Sequence, residues 1–276
     1  GKTFWNEADI YHFIGKDIVY HHYLFLPAMR LGINNEFKLP DYIPTRGHLT
    51  LEGKKISKSR NWYIGLKDFL EKFPADYLRF YLVSINPYSQ DDLNFDWEQF
   101  STKINSELIG NLGNLVNRAL GFTNKAFDGV VPEPEDFDEK DFESEKKIKS
   151  LADDVGKLMQ ENHLDRALKQ LMEFSAHFNQ YFQHKEPWKK EPGTNACIYL
   201  SVNAVRSIAI CLHSFLPKSS QKIWSQLGLE GNVSDISWNE MSELKLTAGH
   251  KIGIVEPIFS KVELSDIEKE QSKLGN

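Results

Sequence analysis

The chain has 276 residues, 41% hydrophobic and 12% aromatic, enough to bury a substantial core in one large domain or two. A formal net charge of −6 excludes a broadly basic, histone-like mode of nucleic-acid binding, so any anion contact must come from a local patch. Two cysteines, Cys197 and Cys211, form no C-x-x-C pair; they imply neither a zinc knuckle nor a disulfide framework and read as buried free thiols. There is no leader pattern and no run of about 18 apolar residues. The expectation is therefore a soluble, cytoplasmic protein with no membrane partner.

In chain order, GKDIVYHHYLFLPAMRLG, residues 15–32, predicts a helix that stops at Gly32. YIPTRGHLTLEGKK, 42–55, predicts a strand running into a glycine-containing turn. LKDFLEKFPADYLRFYLVS, 66–84, predicts two short helices split at Pro74. NPYSQDDLNFDWEQF, 86–100, reads as a connector. A long helix follows, with apolar residues at 104, 108, 112, 115, 116 and 119. After an acidic, proline-containing linker, further helices are predicted over roughly 143–161, 164–184, 194–214 and 218–227. GIVEPIFSKV, 253–262, predicts a strand, and the tail reads as polar helix former. The pattern is a small α/β piece followed by an antiparallel helical bundle, mainly α overall.

GKKISKSRNW, 53–62, puts three lysines, an arginine and two serines into ten positions with no apolar period. Gly53 permits a sharp turn. Ser57 and Ser59 can donate to phosphate oxygens. Lys55 and Lys58 offer mobile ammonium groups, better suited than a rigid guanidinium to charge that moves during a reaction. A solvated surface loop would look the same by composition. Asp17 falls where a carboxylate caps a helix; His21 and His22 sit mid-helix among aromatics, where packed histidines are common. On the long helix Glu107, Asn111, Asn114 and Arg118 share a face. Asparagine carries donor and acceptor, and arginine can stack or bond in pairs, so this stripe suits base edges as well as solvent. Gly110 and Gly113 each cost about 1 kcal/mol relative to alanine, which predicts close backbone approach or polar readout there. Trp188, after Pro187, is either a stacking platform or a core side chain. Lys185, Lys189 and Lys190 flank it with positive charge.

The string KISKS, Lys55 to Ser59, resembles the KMSKS signature of class I aminoacyl-tRNA synthetases, with Ile56 in place of methionine, a volume-conserving exchange. FIGKDIVYHHYLFLPAMRLG, DYLRFYL, DDLNFDWEQF, NSELIGNLGNLVNRALGF and PWK extend the resemblance to methionyl-tRNA synthetases over about residues 4–260. The resemblance implies the end of a Rossmann-type catalytic domain over 1–40, a KMSKS and stem-contact region over 41–97, and an anticodon-binding bundle over 98–276. It implies ATP with Mg²⁺, methionine and the tRNA(Met) anticodon loop as partners, and no zinc. It assigns Lys58 and Lys55 to catalysis; Lys55, Ser57, Lys58 and Ser59 to ATP; Asp17, Ile18 and His22 to methionine and the adenylate. Asn114, Arg118 and Trp188 fall to the anticodon. No HIGH-type string occurs, so the expectation is a C-terminal fragment inactive alone, from an enzyme joining methionine to its tRNA. A synthetase of the Leu/Ile/Val/Cys group and a stand-alone tRNA-binding protein are the alternatives.

Overall fold

A computed structural model of the chain describes residues 1–33 and 36–275. Helix α1 (Lys2–Glu7) leads into a parallel strand pair, β1 (Ile14–Gly15) beside β2 (Thr45–Arg46), in register Ile14 with Thr45. The single helix expected over 15–32 is instead several pieces. Gly15 stays extended to pair with Arg46, Lys16–Ile18 form a 3₁₀ turn, and His21–Phe25 are π-helical before α2 (Leu26–Ile33). Pro27 accounts for the π segment. Without an N–H it cannot bond the carbonyl four residues back, and the preceding turn widens so that Leu26 N–H donates to His21 C=O.

The next elements build the platform under the 53–62 loop. Strand β3 (Leu49–Leu51) turns back antiparallel into β4 (Lys54–Lys55) and lies parallel to β5 (Leu93–Phe95). Helices α3 (Leu66–Lys72) and α4 (Ala75–Ser84) break at Pro74 as the sequence predicts. Helix α5 (Trp97–Lys103) runs through a π-helical segment, Ile104–Gly113, into α6 (Asn114–Ala126), and the apolar residues 104, 108, 112, 115, 116 and 119 are all buried.

The bundle continues with α7 (Glu139–Gln160), α8 (Leu164–Lys185), α9 (Thr194–Leu212) and α10 (Pro217–Gln226). Helix α9 is long and apolar enough to cross a bilayer by composition alone, but it is buried almost throughout, packed by α6, α7, α8 and α10. The strand expected over 253–262 does not form. The segment is irregular, with a bend at Ile258, and helix ends and side chains take its polar groups: Gly253 N–H donates to Gln226 C=O at 2.9 Å, Tyr77 Oη to Ser260 C=O at 2.7 Å, and Asn105 pairs with both backbone groups of Val262. With its backbone satisfied this way, no strand partner is needed. Helix α11 (Leu264–Gln271) closes the described chain.

One buried apolar cluster runs from Leu51 to Ile267. Polar anchors tie the platform to the bundle. Asp76 Oδ2 accepts from the backbone and hydroxyl of Ser219 in the first turn of α10, at 2.6 and 2.7 Å. Arg79 donates to the carbonyls of Phe215 and Ser214, and Arg46 to that of Asn162.

Candidate functional site

The KISKS loop is held rigid at its ends and left open at its cations. Glu52 and Gly53 both have positive φ, 48° and 72°, a two-residue hairpin turn between β3 and β4. Asn94 of β5 pins that turn, its Oδ1 accepting from Gly53 N–H at 2.7 Å. Beyond β4, Ser57 and Trp62 exchange backbone hydrogen bonds of 2.8 and 2.9 Å, closing a loop that contains the 3₁₀ turn Lys58–Arg60 and a left-handed Asn61. Trp62 is fixed by Nε1 donating to Leu51 C=O at 2.8 Å, and Lys54 lies over its ring at 4.3 Å. Ser57 and Ser59 share a hydroxyl contact of 3.2 Å. Lys55 and Lys58 are exposed, and neither makes an ion pair among the described residues.

The tail beyond α11 grips this loop from behind, a contact the sequence reading missed. Asn61 Nδ2 donates to Lys273 C=O at 3.1 Å, and Gly275 N–H donates to Asn61 C=O at 2.9 Å. Glu270, largely buried, bonds both Lys72 and Lys273, and Gln271 reaches Glu52 at 3.3 Å. A run of Lys, Glu and Ser in a polar tail gives no such signal, because its partners lie about two hundred positions earlier.

Asp17 does not cap a helix; it sits in the first 3₁₀ turn with its carboxylate 3.6 Å from His48 Nε2. His22, half-buried on the π-helical turn, contacts His12 instead, Nδ1 to Nδ1 at 3.0 Å. Burial, then His22 and Arg30, push the His12 imidazole below its ordinary range. Asp17 and His22 thus face different partners, with Ile18 between them in sequence and only partly buried. His12 was not flagged by the sequence, since it lies in an extended stretch with no helical partner spacing.

The polar stripe on the long helix divides. Glu107 pairs with Lys103 at 2.9 Å, whereas Asn111, Asn114 and Arg118 all turn onto α8. Asn114 Nδ2 donates to Asn179 Oδ1 at 2.8 Å. Arg118 donates to Asn179 C=O at 3.3 Å and Gln183 Oε1 at 3.0 Å, its guanidinium 4.8 Å over the Phe182 ring. Gly113 meets the expected close approach: an added Cβ would lie 3.1 Å from Phe259. Asn179 was missed, although a poor helix former in mid-helix was the available signal.

Helix α8 ends at a left-handed Glu186, and Pro187–Lys189 form a 3₁₀ turn. Pro187 is buried while Trp188 remains 44% exposed, which disfavours the core reading of this side chain. The cationic flank is weaker than expected. Lys189 pairs with Glu186 at 2.5 Å, and Lys185 is buried against Asp141 at 2.7 Å and Asp138 at 3.0 Å. Lys190 makes no ion pair among the described residues.

The family model described as "tRNA synthetases class I (M)" matches residues 2–120, and "Anticodon binding domain of methionyl tRNA ligase" matches residues 131–276. The chain belongs to the methionyl-tRNA synthetase family. It is 41% identical over 277 residues to the methionine–tRNA ligase of Pyrococcus horikoshii, covering 95% of this chain and 37% of the relative. Against the Methanosphaera stadtmanae ligase it is 39% identical over 288 residues, covering 99% and 42%. A solved Mycobacterium tuberculosis methionyl-tRNA synthetase in complex with methionyl-adenylate superposes with a TM-score of 0.82 at 28% identity, over 93% of this chain and 50% of that one. The chain spans less than half the length of these two curated relatives. The Leu/Ile/Val/Cys alternative is not favoured by these matches. The fold is the end of a class I catalytic domain followed by the family's anticodon-binding bundle.

Beside the bundle's RNA-facing candidates, His177 of α8 contacts Ser144 at 3.1 Å, and burial lowers its pKa below the ordinary value. A histidine with a lowered folded pKa binds its proton more weakly in the folded state. Stability should therefore decline as pH falls below about 6.5, where the unfolded chain begins to take up that proton. Thermal melts between about pH 7.5 and 5.5 should show this slope, and His177→Gln should reduce it. An unchanged slope in the folded variant would assign it elsewhere.

Proposed function

We propose that this chain supplies the phosphate-handling loop and the anticodon reader of an enzyme that activates methionine with ATP and transfers it to tRNA(Met). The observation that carries this reading is a loop fixed at both ends with Lys55 and Lys58 exposed and, among the described residues, outside any ion pair. The loop offers ammonium and hydroxyl groups and no carboxylate. It therefore suits phosphate oxygens, and Mg²⁺ would arrive on ATP as part of the substrate.

In this reading a methionine carboxylate oxygen attacks the α-phosphorus, the bond to the bridging β-oxygen breaks, and pyrophosphate leaves. Lys58, assisted by Lys55, Ser57 and Ser59, meets the charge that gathers on the phosphates. The family resemblance gives Asp17, Ile18 and His22 to methionine and the adenylate, which would draw Asp17 from His48 and His22 from His12, the neighbours they have in this chain. Asn114 and Arg118 read anticodon base edges, and Trp188 stacks a base splayed from the loop.

Titrating a labelled CAU anticodon stem-loop against the chain at low salt tests the bundle's part. Trp188→Ala should weaken binding by about 1–3 kcal/mol, roughly five- to 150-fold. Changing Asn114 or Arg118 should narrow the gap between CAU and an altered anticodon. If Trp188→Ala keeps its circular dichroism and binds as wild type does, the stacking assignment is wrong.

A further inference from the structure

An open groove of about 390 Å³ runs between the long helix and the segment 253–262, and Asn114 lines it. One wall is helical: Gly110, Gly113, Asn114 and Asn117 share a face, three and four residues apart. The other wall is Pro257, Ile258 and Phe259, and no side chain lining the groove is charged. The second wall is anchored at several points. Tyr77 Oη donates to Ser260 C=O at 2.7 Å and accepts from its N–H at 2.8 Å, Asn105 pairs with both backbone groups of Val262, and Gln226 Nε2 donates to Glu256 C=O at 2.8 Å. The groove is therefore formed before anything enters it, and binding need not order it.

Its two glycines differ in cause. Gly113 is required by the fold, because an added Cβ would press on Phe259. Gly110 is exposed, and an added Cβ there would meet nothing within 4 Å beyond its own helix, where the Asn105 carbonyl lies at 3.3 Å. A glycine inside a helix costs stability relative to alanine, and packing against the rest of the chain does not call for this one. What it does is keep the groove open. The rim is polar. Asn114 gives one N–H to Asn179 Oδ1, and among the described residues its second N–H and its Oδ1 stay unbonded, as does the exposed Asn117 carboxamide. We propose that this groove is a second base-binding subsite of the anticodon reader, taking a loop nucleobase other than the one stacked on Trp188. Bare glycine backbone on one side and proline, isoleucine and an aromatic ring on the other suit the faces of a flat ring. Two carboxamides, each donor and acceptor, suit its edge, and an uncharged lining suits a neutral base and not a phosphate. Because Asn114 belongs both to the groove and to the stripe facing α8, the subsite is continuous with the anticodon site; the inference rests on the anticodon reading above and extends it.

The test uses the chain as it stands, with CAU stem-loops made abasic at one loop position at a time. With the wild-type chain, at least two positions should each weaken binding about fivefold or more when the base is removed, the size of one lost stacking contact. In Gly110→Leu, whose side chain fills the groove from the helical wall, one of these penalties should fall below about twofold, and in Trp188→Ala a different one should. Asn117→Leu closes the groove at its rim and should cancel the same position as Gly110→Leu, so the test survives if either variant fails to fold by circular dichroism. Three results overturn the inference. No position loses its penalty in a folded groove variant; or Gly110→Leu and Trp188→Ala cancel the same position; or the groove variants bind every loop as the wild type does and differ only in self-association by sedimentation, which would give the groove to a second copy of the chain. If the wild-type chain does not prefer the CAU loop to a scrambled loop, the anticodon reading itself falls. A preference for CAU together with any of the three results removes only the groove.

Discussion

Replacing Lys58 by alanine, in a protein carrying this sequence and competent to activate methionine, should slow adenylate formation by about 10²–10³-fold. Methionine affinity should change little, because in the proposed role the ammonium meets charge that develops on the phosphates only as the α-phosphorus is attacked. The loop's architecture makes this a clean experiment. Its shape is set by the Ser57–Trp62 exchange, the Trp62–Leu51 bond and the tail's hold on Asn61, and none of these uses the Lys58 side chain. The side chain is exposed and makes no ion pair among the described residues, so its loss leaves no buried partner behind. Lys58→Arg should recover only part of the rate, since a planar fork cannot follow shifting charge as an ammonium does. Pyrophosphate exchange and single-turnover adenylation measure the rate, and equilibrium binding measures the affinity. A fall in methionine affinity at unchanged rate would make Lys58 a ground-state contact and not a group that acts on the transition state.

What the sequence made legible follows from the range of each interaction. The helices of the bundle are legible because their apolar periods are local and long: residues 104, 108, 112, 115, 116 and 119 are buried as their spacing predicts. The break at Pro74 and the turn at Gly53 are legible because one residue's covalent geometry decides each. Residues 15–32 mislead because strand pairing with Arg46 and the missing N–H of Pro27 override a helical pattern. Residues 253–262 mislead because β-type residues need no strand beside them when Tyr77, Asn105 and Gln226 satisfy the backbone. At the candidate site, residue types were visible while partners were not. Spacing picked out the stripe of Glu107, Asn111, Asn114 and Arg118, and the family resemblance singled out Asn114 and Arg118, but the dependence of those two on Asn179 and Gln183 spans about sixty positions. Likewise the lysines around Trp188 were visible as charge, and only the fold reveals that two of them are already neutralised by nearby carboxylates.

One of those two should give the largest stability effect in the bundle. Lys185→Ala is expected to destabilise the chain by about 3–5 kcal/mol, the range for removing one partner of a buried ion pair. Asp141 is fully buried and accepts from Lys185 Nζ, Tyr181 Oη and the backbone N–H of Asp138, the last at 2.8 Å. It also completes the capping box at the start of α7. Burial alone would lower the Lys185 pKa, but hydrogen bonds to Asp141 and Asp138 outweigh it and raise the value; the matching lysine bond helps hold Asp138 below the usual carboxylate range against its own burial. Without the lysine, a carboxylate with no water around it keeps only neutral donors. The consequence reaches the candidate RNA surface, because Lys185 is the last residue of α8 and the Glu186–Lys189 turn that carries Trp188 begins beside it. Lys185→Met, which keeps the stem but not the charge, should destabilise nearly as much, whereas Lys185→Met combined with Asp141→Asn should recover much of the loss by removing the stranded charge. Urea denaturation of the four proteins measures each step. If the double variant is no more stable than Lys185→Met, the uncompensated Asp141 charge is not the cost; if Lys185→Met is as stable as the unsubstituted chain, the cost of Lys185→Ala lies in lost packing of the lysine stem.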